Sequence, residues 1–122
     1  MNFILLLAAH YLGDFIMQPR EMATKKSEDM DVLWDHVCTY GVALVPAVFV
    51  SGFESKHPLH MITFMFINMM LHGIIDWNIW RWYKKGAPKR FWEDRWFWST
   101  VGLDQTLHIM ILYWTWTKLL CS

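Results

Sequence analysis

Residues 37–53 and 58–75 of this 122-residue chain contain no Asp, Glu, Lys or Arg. That feature narrows the folds open to it. A soluble helix of such length shows a charged face to water. A bilayer core about 30 Å thick, by contrast, accepts roughly 20 mostly apolar helical residues. Two more apolar stretches flank the pair. Residues 2–18 read NFILLLAAHYLGDFIMQ, stop at Pro19 and carry no charge before Asp14, and residues 105–117 are uncharged when His108 is neutral. The pattern predicts an all-α, polytopic membrane protein. We expect an antiparallel bundle of four transmembrane helices over about 2–18, 32–53, 58–83 and 100–120, forming one membrane domain over 1–122. Pro58 suits a first helical turn, where a missing N–H costs nothing, and Pro46 predicts a kink in mid-helix. The start lacks the basic n-region and small-residue cleavage site of a signal peptide, so the first helix is expected to remain in the mature chain. The alternative is a soluble helical bundle with an unusually apolar core.

Composition excludes several function classes. Charged residues are 18% of the chain, below the roughly 25% of ordinary soluble domains. Eleven basic residues balance eleven acidic ones, so the cationic excess of a nucleic-acid binder is missing. Two cysteines, Cys38 and Cys121, fall towards opposite ends of the predicted bundle and are not expected to pair.

The basic residues set the expected orientation. Arg20, Lys25 and Lys26 follow the first helix, and Arg81, Lys84, Lys85, Lys89, Arg90 and Arg95 follow the third. Only Lys56 and Lys118 lie on the other side. The positive-inside rule then places both basic connectors in the cytoplasm and both termini outside it, in a bacterial inner membrane. Six of the nine Trp lie between Trp77 and Trp98. The segment at about 89–99, KRFWEDRWFWS, reads as an interfacial helix in the headgroup layer.

Polar residues inside the helices form a pattern of their own. His10 and Asp14, His72 and Asp76, and Asp104 and His108 are each four residues apart, which puts each pair on one helix face. Helices one and three read His then Asp towards the cytoplasm, while helix four, running back, reads Asp then His. In an antiparallel bundle that reversal brings the three carboxylates to one level, with the imidazoles about a turn deeper. His36 enters the same slab from helix two. At a rise of about 1.5 Å per residue, these groups fall roughly 6–16 Å inside the cytoplasmic helix ends.

Ionisable groups in a membrane are costly and must pair or bind something. Four imidazoles and three carboxylates suit Zn, Mn or Fe ions. One tetrahedral structural site would strand three of the seven. Two ions sharing His10, Asp14, His36, His72, Asp76, Asp104 and His108 would leave open positions, the mark of catalytic centres. Two ions roughly 3.5–4 Å apart can activate water and stabilise a leaving oxygen. Asp14, Asp76 and Asp104 are the candidate catalytic carboxylates, one of them as general base. Gln18, Asn68 and Gln105 are candidate orienting donors, and Lys25 or Lys26 a candidate partner for an anionic substrate. His57 and His60 read as surface residues of the external connector, and Asp35 as a helix-start charge.

The pattern His10-x3-Asp14-Phe15-x2-Gln18, a Lys soon after, His36, His72-x3-Asp76 and Asp104-Gln105-x2-His108 resembles a family of small membrane proteins of bacteria and phages catalogued only as a domain of unknown function. The resemblance runs from about Leu5 to Leu119 and implies a polytopic helical membrane protein, with no activity attached. Trp77-Asn78 departs from a commoner aromatic-then-basic pattern, and Arg81 is the nearest basic substitute. A looser similarity, to membrane-bound metal-dependent hydrolases, favours hydrolysis. The leading expectation is a metal-dependent hydrolase acting on a lipid-like ester or phosphoester. Its partners are membrane lipid, a lipid-like substrate and either a membrane protein or a second copy of the chain. The alternatives are a divalent-cation or proton handling or sensing protein, and a phage or bacterial structural or interaction protein without catalysis.

Overall fold

The computed structural model describes residues 3–52, 57–86 and 90–121. All regular structure among them is helical. Helix α1 (Phe3–Tyr11) continues into a π-helical turn (Leu12–Ile16) and stops before Pro19. A short helix α2 (Arg20–Lys25) follows, then α3 (Met30–Gly52), α4 (Pro58–Lys84), a 3-10 turn (Phe91–Glu93) and α5 (Arg95–Thr115), which ends in a second π-helical turn (Trp116–Leu120).

Local chemistry explains where these helices begin. Asp29 Oδ1 accepts from Asp31 N at 2.9 Å, satisfying a donor that the first turn of α3 leaves unpaired. Pro58 starts α4 at the first helical position, after an extended His57. Asp94 caps α5 through the Trp96 N–H, and its other oxygen accepts from Tyr83 Oη at 2.9 Å, tying the end of α4 to the start of α5. That cap corrects one expectation. Residues 95–99 are the first turn and more of α5, not part of a separate interfacial helix, and only the 3-10 turn precedes them. Lys89 lies outside the described residues. Helix α2 and both π turns have no counterpart in the expected pattern. Pro46 lies within α3, which continues on both sides of it.

Two helices, over Met30–Val50 and Pro58–Lys84, are long and apolar enough to cross a membrane. The Phe3–Ile16 helix is apolar but shorter. Helix α5 has the length, but Asp104, Gln105 and His108 within it lower its mean hydropathy. Of the four expected spans, two therefore meet the criterion.

Helix α3 packs against α1 and its π turn on one side and against α4 on the other; α4 packs on α5, and a thinner α1–α5 seam closes the ring. A Cβ at Gly13 would lie 3.1 Å from Tyr40 Cα, so the first helix meets α3 almost backbone to backbone. At Gly73 a Cβ would come within 2.9 Å of Val37 Cγ2. The interior mixes apolar and polar side chains, and the exterior carries large apolar ones. Leu6, Leu44, Phe64 and Leu112 are fully buried, but so are His36, Asp76 and their polar neighbours. Val42, Phe49, Leu59, Ile62 and Phe66 are each more than 60% exposed.

Candidate metal centre

Three helical segments deliver the first set of inner polar groups. The π turn after α1 supplies Asp14, α3 supplies His36, and α4 supplies His72 and Asp76, one turn apart. Their ligand atoms converge. His36 Nε2 lies 2.9 Å from Asp76 Oδ2, 3.2 Å from Asp14 Oδ1 and 2.9 Å from His72 Nε2. His72 Nε2 lies 3.5 Å from Asp14 Oδ1 and 3.4 Å from Asp76 Oδ2. The same four atoms recur in every distance, so they are corners of one small polyhedron. A tetrahedral ion with arms of about 2.0–2.1 Å requires edges of about 3.3–3.4 Å. The observed edges bracket that value.

The directions of these contacts also suit a shared centre. Asp14 Oδ1 and both oxygens of Asp76 make no directed hydrogen bond, although Asp76 Oδ2 is approached to 2.9 Å. Two imidazole Nε2 atoms facing each other at hydrogen-bond distance share at most one proton. The four atoms are close neighbours around one small volume, with His36 Nε2 and His72 Nε2 at 2.9 Å from each other. His72 is held by ring packing, between Tyr40 at 3.9 Å and His108 at 4.1 Å, both near-parallel. That stacking orients a ring whose Nδ1 makes no hydrogen bond.

A second group adjoins the first. Asp76 Oδ1 faces His108 Nε2 at 3.9 Å, and Asp104 Oδ2 lies 3.8 Å from His108 Nδ1. Asp76 is thus two-sided, with one oxygen in each group. Gln105 laces the periphery together. Its Nε2 donates to Asp14 Oδ2 at 2.6 Å and to Asp104 Oδ2 at 3.2 Å, and its Oε1 accepts from His10 Nε2 at 2.9 Å. All seven residues singled out by the helix-face pattern are buried, at most 3% exposed. Their ligand atoms fall into three mutually close sets that are plausible metal-binding sites: Asp14 with His36, His72 and Asp76; Asp76 with Asp104 and His108; and His10 with Asp14 and His108.

Other expectations need correction. Asn68 has no amide hydrogen left to donate to the centre. Both go to other partners, Phe64 O and Thr115 Oγ1, each at 2.8 Å. Lys25 points away and pairs with Glu21 at 2.7 Å on an exposed surface. Lys26 turns inward instead, 5% exposed, with Nζ 2.9 Å from Asp76 Oδ2, 3.5 Å from Asp14 Oδ1 and 3.3 Å from His36 Nε2. Burial penalises its charge, but Asp76 and Asp14 outweigh that penalty and the ammonium pKa is raised. Tyr40 was not anticipated, although it stands four residues after His36 on the same face of α3 and the helix-face rule finds it.

Beside the centre is a cavity of about 240 Å³. Phe15, Trp80, Phe97 and Val101 form apolar walls, while Asp14, Gln18, Lys26, Asp104 and Gln105 bring polar atoms to it. Gln18 Oε1, Trp80 Nε1 and Asp104 Oδ1 are buried there without hydrogen bonds.

The family model described as "Protein of unknown function (DUF3307)" matches residues 2–121, nearly the whole chain, and the chain belongs to that family. No curated protein and no solved structure matches it.

Proposed function

We propose that this DUF3307 member is a membrane-embedded, metal-dependent hydrolase with a His/Asp dinuclear site near the cytoplasmic leaflet, acting on a lipid-like ester or phosphoester. The observation that carries the reading is the near-tetrahedral convergence of Asp14, His36, His72 and Asp76. A divalent ion, Zn, Mn or Fe, supplies Lewis acidity there and lowers the pKa of water. The chain's own groups do the rest. Those four side chains hold one ion. Asp76, Asp104 and His108 form the neighbouring set that would hold a second. Gln105 keeps Asp14 and Asp104 at a fixed separation and holds His10 beside them. Asp104 lines the cavity with Oδ1 unbonded, which suits it to accept a proton from water at the cavity floor.

Charge supports the presence of a cation. Asp14, Asp76 and Asp104 are buried around a single ammonium, Lys26, so acidic groups outnumber the cationic side chain beside them, an environment that favours bound cations. The exposed apolar side chains on α3 and α4 favour lipid around the outside. The four-span arrangement, with basic connectors in the cytoplasm of a bacterial cell and both termini outside, completes the proposal. A pathway for ions across the bundle needs polar groups beyond the layer. Among the described residues the interior there is Leu6, Leu44, Phe64 and Leu112, interrupted by the Asn68–Thr115 pair, so hydrolysis is the better reading.

The test is elemental analysis of protein purified without chelators. We expect about two divalent ions per chain, with His72→Ala losing the first and Asp104→Ala retaining one. Wild-type protein without near-stoichiometric metal removes the proposal.

A further inference from the structure

Lys26 belongs to two places at once. Its ammonium contacts three corners of the four-atom set, Asp14, Asp76 and His36, and its side chain also lines the neighbouring cavity. The cavity's other lysine, Lys84, is engaged by Glu28 at 3.2 Å and by the Thr24 carbonyl. Without Lys26, the polar floor therefore presents the carboxylates of Asp14 and Asp104 and repels anions. With Lys26 clamped on those same acids, its charge is already answered.

A divalent ion among the four corners changes this. It competes with Lys26 for Asp14 Oδ1 and Asp76 Oδ2, and at such short range it repels the ammonium. The flexible four-carbon stem of lysine allows the head to swing a few ångströms at little cost. The direction open to it is the cavity, where unbonded Gln18 Oε1 and Trp80 Nε1 already lie.

We infer that the cavity is a binding site for a phosphate-class oxyanion, and that the site forms only when a divalent ion has displaced Lys26 from Asp14 and Asp76. The inference rests on the metal reading above and deepens it by assigning the ligand class and the order of binding. Metal comes first and the anion second, with Lys26 carrying the coupling between them. Linkage makes the effect reciprocal, so the anion also tightens the metal. Shared phosphate chemistry leaves two sources, a soluble phosphate or a lipid headgroup whose chain follows Phe15, Phe97 and Val101 towards the α1–α5 seam.

The experiment uses full-length protein in detergent, with Zn²⁺ alone, inorganic phosphate and dodecyl phosphate as probes, followed by calorimetry. We expect phosphate to bind the Zn-loaded protein at least about tenfold more tightly than the metal-free protein, a coupling within the usual range. Lys26→Met should keep Zn²⁺ and lose that phosphate binding. Equal phosphate affinity with and without Zn²⁺, or unchanged affinity in a Zn-retaining Lys26→Met, overturns the inference while leaving the metal reading intact. Failure of wild-type protein to bind Zn²⁺ overturns both, and is seen before any anion is added. Tighter binding of dodecyl phosphate than of phosphate assigns a lipid source and equal binding a soluble one; both carry the inference if they depend on Zn²⁺. A readout on wild-type protein covers the case in which the variant does not fold. Amine acetylation at Lys26, followed by mass spectrometry, should be slow without Zn²⁺ and faster with it, and unchanged protection refutes the displacement.

Discussion

The two halves of the bundle interior are built on different principles. One half is an apolar floor in which Leu6, Leu44, Phe64 and Leu112 fill space. The other is a polar floor in which seven titratable residues and Lys26 are gathered below the surface. The apolar floor is held by close packing, since helices surrounded by lipid associate through van der Waals contact and not through release of apolar surface from water. The polar floor has no such source. Its carboxylates and imidazoles carry desolvation costs that only a matched partner offsets. The contrast teaches that the fold and the chemistry are separable in this chain, and substitutions in each floor should expose the separation.

The largest effect is expected at the residue shared by both ligand groups. Asp76→Asn keeps the shape but removes the charge from both positions. Metal affinity, measured by competition with a chromogenic chelator, should fall by more than the roughly 10–100-fold typical of losing an orienting partner. A purely structural polar floor predicts no such loss. Next comes the apolar floor. Phe64→Ala should lower stability to denaturant by about 3–5 kcal/mol, while the folded fraction keeps its full complement of metal. Loss of metal in step with stability would break the separation. The smallest effect is expected at the periphery. Gln105→Ala should weaken metal binding by about 10-fold, at the low end for an orienting residue. It should leave the denaturation midpoint close to that of the wild type, and an unchanged affinity would remove Gln105 from the centre.

Much of this was legible in the sequence because helices impose a simple rule. Side chains four apart share a face, so His10 with Asp14, His72 with Asp76 and Asp104 with His108 could be placed before any coordinates. Pro19 and Pro58 marked helix ends for the same elementary reasons. What was not legible depends on contacts between distant segments. Lys26 and Lys25 are adjacent and chemically identical in sequence; which of them turns inward follows from helix α2, whose six residues give no apolar period to read. Asn68 sits four residues before His72 and looks like its partner, yet Thr115, 47 residues away, takes its amide instead. The two π turns leave no trace in composition. Asp94 is a cap residue by type, but the Trp-rich run after it has the composition of an interfacial segment as well as that of a helix start.

The closeness of the first helix to α3 at Gly13 bears on which ions the centre would admit. Gly13 precedes Asp14 and lies against Tyr40, four residues beyond His36, so contact between two main chains sets how far apart those two corners stand. The spacing of the two backbones is thus fixed before any side chain chooses a rotamer. Calcium requires six to eight oxygen ligands at about 2.3–2.6 Å, more room and more donors than four corners with edges of 2.9–3.5 Å supply. Sorting ions by radius would then fall to a residue with no side chain, and a methyl group added there would loosen the sieve from outside the coordination sphere.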